Sequence, residues 1–81
     1  MPLHLYPNVQ ASGSVPDQWQ PIKGGTLKYP VRNHEVLDYL RQLIPGKWQK
    51  VIKQGNIGEA HYFEHESGQV AGVKFFSNQT S

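Results

Sequence analysis

Eighty-one residues with no cysteine make one small domain that has neither a disulfide framework nor a thiolate metal site, which excludes knottin-like, zinc-finger and thiol-enzyme classes. Eight Lys and Arg against six Asp and Glu leave a formal net charge of +2, so bulk charge does not argue for a polyanionic partner and its distribution has to. A hydrophobic content of 37% is enough for one modest core.

The start, MPLHLYPNVQ, carries no basic n-region and no apolar run of signal or membrane-spanning length, so no membrane association is expected. The abrupt Met1-Pro2 start is compatible with a domain excised from a longer secreted protein. Prolines at 2, 7, 16, 21 and 30, ASGS at 11 to 14 and Gly24-Gly25 forbid a helix of useful length over residues 1–30. This segment reads as a Pro/Gly-rich leader with one short extended piece at Thr26 to Tyr29. Its Leu3, Leu5, Tyr6, Val9 and Trp19 are more apolar than a disordered tail carries, so it is expected to dock in part. Trp19, Ile22, Leu27 and Tyr29 would then cover a core edge.

The clearest element runs from Asn33 to Ile44. Asn33 is a good N-cap, Glu35 puts a negative charge in the first turn, and Val36, Leu37, Leu40, Leu43 and Ile44 recur at helical spacing before Pro45-Gly46 stops the run. Trp48 to Lys53 alternates as a short strand. Glu59 to Glu66 and Gln69 to Phe76 form two strand-like runs around Ser67-Gly68, which reads as a hairpin. The expected fold is α+β: one helix packed on a small antiparallel sheet of three to four strands over residues 31–77, preceded by the leader and followed by a frayed tail at 78–81.

A two- or four-residue hairpin loop pairs position 65 with 70, 63 with 72 and 61 with 74. One face then carries Ala60, Tyr62, Glu64, Ala71, Val73 and Phe75, mostly apolar and expected to lie on the helix. The other carries His61, Phe63, His65 and Lys74, a polar face that the helix does not need. A three-residue loop would undo this assignment.

Imidazole exchanges a proton near neutral pH. Two histidines beside a lysine over an aromatic ring suit RNA cleavage without a metal: one group deprotonates the 2′-hydroxyl, another protonates the leaving 5′-oxygen, and a cation stabilises the phosphorane. His61, His65 and Lys74 are the catalytic candidates, with Phe63 or Trp48 to stack a base. Between Asp38 and Glu59 there is no acid, while Arg41, Lys47, Lys50 and Lys53 form a basic stripe around Trp48, consistent with phosphate contacts. His61-Tyr62-Phe63-Glu64-His65 also spells H-x-x-E-H, but that metal chemistry needs a helix; on a strand the two histidines stand about 13 Å apart. No metal or other cofactor is expected.

The stretch Glu35 to Phe76, a helix followed by WQKVIKQG, HYFEH and QVAGVK, resembles the core of HicA-type toxin ribonucleases. It is also similar to the C-terminal tRNase domain of colicin D and related polymorphic bacterial toxins. The resemblance implies His61 as the catalytic histidine, with Trp48 and Phe63 as packing or stacking groups. It departs from the HicA-type pattern in lacking Ser directly before the His and a final helix. It further implies action in the cytoplasm on RNA, tRNA among the candidates, a cognate immunity or antitoxin protein as partner, and a leader resembling the linker to a delivery protein. The alternative is a non-catalytic interaction module, an immunity protein, phage inhibitor or adaptor, with Trp19, Tyr29, Trp48 and Phe63 as exposed anchors.

Overall fold

The computed structural model describes residues 3–78. Among these residues five strands form one antiparallel sheet: β1 (Leu5–Tyr6), β2 (Pro21–Pro30), β3 (Trp48–Gly55), β4 (Gly58–His65) and β5 (Val70–Ser77), in the spatial order β1-β5-β4-β3-β2, with one α-helix, α1 (His34–Leu43), and a single 3-10 turn at Gln10–Ser12. The expectation of three to four strands is thereby corrected to five. The segment read as a leader supplies both edges of the sheet. Pro21 and Pro30 are the first and last residues of β2, and an outer strand tolerates proline because its far side needs no ladder hydrogen bonds. Pro21 stands opposite Gly55 and Thr26 opposite Lys53, so Gly24-Gly25 lies in a bulge rather than a break.

The helix forms where the periodicity places it. Asn33 caps it, its side-chain oxygen accepting from the Glu35 and Val36 amides at 3.0 and 3.2 Å, and Ile44 turns to an extended conformation ahead of Pro45. Ten residues are too few to hold a helix in water alone. Burial of Leu40, with Val36, Leu37, Leu43 and Ile44 packed around Trp48 and Ala71, supplies the missing stability.

The hairpin of β4 and β5 differs from the expected register in two places that cancel. His65 and Gln69 are bonded around the loop, His65 N–H to Gln69 O at 2.8 Å, so the loop has three residues, Glu66 to Gly68. Phe63 therefore faces Ala71 and Glu64 faces Val70. At Gly72, where φ is +64°, β5 carries one extra residue, a conformation glycine adopts without penalty. Beyond the bulge His61 faces Lys74 and Ala60 faces Phe75, as the simple hairpin expects.

The faces are the reverse of the expected ones. The helix lies over Trp48, Phe63 and Ala71, on the side of the sheet that also carries His61 and His65. The opposite side, with Val51, Ala60, Tyr62 and Val70, is closed by Val9, Val15 and Trp19 of the N-terminal segment. Trp19 is 1% exposed, and its indole N–H donates to the Gly58 carbonyl at 2.9 Å. It lies so close over Gly55 that a Cβ there would overlap the indole. The sheet is thus the middle layer between a helix and an irregular cover. Asn78 is held by its N–H to the Ile57 carbonyl at 3.2 Å; the rest of the tail expected at 78–81 lies outside the described residues. Among those described, no helix is long and apolar enough to cross a membrane.

Candidate functional site

Alternation along a strand puts residues two apart on one face, and the registers then lay out three cross-strand rows on the helix side of the sheet. Tyr29, Lys50 and Phe63 form one; Leu27, Ile52, His61 and Lys74 the next; Gln54, Glu59 and Phe76 the third. The helix covers only the end of this face near Trp48, so these rows are largely open.

His61 sits in the middle row. Its Nε2 lies 2.7 Å from Glu59 Oε1, and its ring meets the Phe76 ring edge-on at 4.6 Å between centroids. A carboxylate only accepts, so Nε2–H donates to Glu59 and the imidazole lone pair resides on Nδ1. The side chains of His61 and Glu59 are 25% and 38% exposed: held, yet reachable from solvent. His61, Lys74, Lys50, Phe63, Gly72 and Phe76 line one shallow hollow of about 190 Å³. An imidazole held in one tautomer by Glu59, a facing ammonium and two aromatic rings thus meet on one open surface, where a proton can be exchanged beside a positive charge.

Of the nine residues singled out from the sequence, four meet here: His61, Lys74, Lys50 and Phe63. His65 does not. It is 7% exposed, its Nε2–H donates to the Pro45 carbonyl at 2.9 Å, and its Nδ1 accepts from the Ser67 amide at 3.1 Å. The Trp48 ring packs edge-on against it at 5.1 Å. These partners fix the Nε2–H tautomer and use both ring nitrogens, so His65 ties the hairpin loop to the helix–strand turn and is removed from the catalytic set. Trp48 is buried, its indole N–H donating to the Ile44 carbonyl at 3.0 Å, and is a core residue rather than a stacking platform.

The basic stripe divides. Lys50 points to the His61 face, whereas Lys53 belongs to the opposite one, near Trp19 and Tyr62. Arg41 and Lys47 border a separate hollow at the helix end of the sheet, where Arg41 Nε–H donates to the Gly46 carbonyl at 3.2 Å and the Lys47 amide to Glu66 at 2.9 Å. Of the interaction anchors expected to be exposed, Trp19 and Trp48 are buried and only Tyr29 stands well out. Within H-x-x-E-H, Glu64 lies on the other face of the sheet from both histidines and pairs with Lys28 at 3.0 Å.

Glu59 and Phe76 are site residues that the sequence did not point to, and Tyr29 was singled out for function only as an anchor of the non-catalytic alternative. Glu59 was within reach, since a residue two before His61 on a strand must share its face. Phe76 follows once Glu59 is placed, because the two are cross-strand partners. No protein family, curated protein or solved structure matches this chain.

Proposed function

We propose that this chain is a ribonuclease domain that cleaves RNA without a metal, on the open half of its sheet. His61 Nδ1 takes the proton from the ribose 2′-hydroxyl while Glu59 holds the ring and stabilises the imidazolium. The 2′-oxygen attacks phosphorus, the bond to the 5′-oxygen breaks, and Lys74 neutralises the phosphorane and returns a proton to the leaving oxygen. The products are a 2′,3′-cyclic phosphate and a 5′-hydroxyl. The observation that carries this reading is the Glu59–His61 pair at 2.7 Å with Lys74 directly across the strand. The resemblance to toxin ribonucleases adds a cytoplasmic RNA target, tRNA among the candidates, and a cognate immunity or antitoxin protein that would inhibit by sealing the same face.

The test is cleavage of a defined RNA oligonucleotide in the presence of a chelator. The expected result is a cyclic-phosphate product, no cutting where the scissile ribose is 2′-deoxy, and a fall of about 100-fold or more in His61→Ala, the scale of a lost acid–base group. An intact oligonucleotide, or equal cutting by His61→Ala, overturns the reading. A second reading, a non-catalytic binding module, draws on the apolar side chains exposed on the same face and predicts that His61→Ala changes nothing.

A further inference from the structure

The large apolar side chains most exposed among the described residues are Ile22, Leu27, Tyr29 and Phe76, at 45 to 51%. They do not scatter over the molecule. Leu27, Tyr29 and Phe76 belong to the three rows of the helix-side face, and Ile22 lies beside Gln54, Glu59 and Phe76 at its far end. Large apolar side chains gathered on one face, rather than scattered singly, are the pattern of a binding surface.

The geometry narrows what the partner is. Next to the His61 hollow is a second one of about 610 Å³, built around Tyr29, Arg32, Val36, Ile52, Lys50 and Phe63. The two hollows share Lys50 and Phe63. Tyr29 and Phe63 flank Lys50 in one row, with Cα atoms about 10 Å apart from the strand spacing, and adjacent rows are about 7 Å apart along the strands. Tyr29 and Phe76 therefore stand on opposite sides of the His61 row, about 20 Å apart on the diagonal across four strands. Arg32, Lys50 and Lys74 make no ion pair among the described residues, so their charge remains for a ligand; Glu59 is engaged with His61.

We infer that this face binds unpaired RNA, with the base next to the scissile phosphate seated in the Tyr29 hollow and a base on the other side lying on Phe76. The inference rests on the ribonuclease reading for where the phosphate sits. Rings alternating with separated cations suit a single strand, whose bases are free to stack while its phosphates meet lysine and arginine. A duplex keeps its bases inside and offers phosphates alone, and would call for a denser basic surface than Lys50 and Lys74 make. The same unpaired charges argue against a second copy of the chain as occupant, since closing two such faces together would bury like charges against each other.

The test uses the full chain and a fluorescent single-stranded RNA with 2′-O-methyl riboses, which cannot be cleaved, beside the same sequence annealed into a duplex. Anisotropy should show the single strand bound at least tenfold tighter than the duplex, about tenfold weaker binding by Tyr29→Ala, and near wild-type binding by Tyr29→Phe, which keeps the ring. Tyr29 is exposed, so circular dichroism should show both variants folded. Equal affinity for duplex and single strand overturns the inference, as does unchanged affinity in Tyr29→Ala. So does sedimentation showing a dimer that Tyr29→Ala breaks while RNA is ignored. Because the probe is inert, this binding pattern can hold in a protein that cleaves nothing, and cleavage dependent on His61 can hold with Tyr29 irrelevant; the two readings fail separately.

Discussion

On one side of the sheet the N-terminal segment lays Val9, Val15 and Trp19 over Val51, Ala60, Tyr62 and Val70, and none of the large apolar side chains left exposed among the described residues lies there. On the other side α1 seals the end around Trp48 and Ala71 and stops, leaving Leu27, Tyr29 and Phe76 in the open with His61 and two lysines among them. The same five strands thus carry a closed face that stabilises and a half-open face that is free to bind. The contrast also separates the two histidines of β4: His65 lies under the sealed end with both nitrogens engaged, and His61 lies beyond it with one nitrogen free.

Removing the cover should have the largest effect. Trp19→Ala takes out the most deeply buried large side chain among the described residues together with its hydrogen bond to Gly58 and should cost about 3–5 kcal/mol, most of what a domain this small has. Chemical denaturation reads this directly. In the same experiment Ile22→Ser, on the open face, should stay within about 0.5 kcal/mol of the parent; a comparable loss in both variants would mean that the faces are equally closed.

A smaller effect separates the histidines. His65→Ala leaves the Pro45 carbonyl and the Ser67 amide without their partners and should destabilise by about 1–3 kcal/mol, while RNA cleavage per folded molecule is unchanged. A loss of cleavage in the folded variant would return His65 to the site.

The smallest effect at neutral pH concerns the closed face alone. Burial, with the Glu64 charge adding to it, pushes the Tyr62 hydroxyl from 10.0 up to about 12. The folded chain then keeps this proton at pH values where the unfolded chain has released it, so stability is intact below pH 10 and is lost as the pH rises from 10 toward 12. Comparing alkaline denaturation of the wild type with Tyr62→Phe should show that part of the slope gone in the variant; identical slopes would mean that Tyr62 is more open to water than its place under the cover implies.

Local signals were legible in the sequence and long-range ones were not. The helix was readable because Asn33, the spacing of Val36 to Ile44 and Pro45 all act within the segment itself. The hairpin was readable from alternation, and the pairing of His61 with Lys74 survives because the three-residue loop and the Gly72 bulge offset each other. Strand β2 was missed beyond Thr26 to Tyr29 because its prolines and paired glycines rule out a central strand, and only the finished sheet shows that it is an edge. The inversion of the faces has a similar cause. Both sides of β4 carry aromatic residues, Tyr62 on one and Phe63 on the other, and what decides between them is which side Trp48 shares and where Trp19 comes to rest, 36 residues upstream of Gly55 in the chain. Nothing near His65 in the sequence announces the Pro45 carbonyl that occupies it.

On the proposed function the open face, and not the closed one, receives RNA, and a chemical-shift map of the isotopically labelled chain titrated with the inert single-stranded RNA reads this out residue by residue. Concentration-dependent shifts are expected at Tyr29, Lys50, Ile52, His61, Lys74 and Phe76, with Val9, Val15 and Trp19 unmoved. Shifts concentrated on the N-terminal cover, or no shifts anywhere, would contradict the proposal.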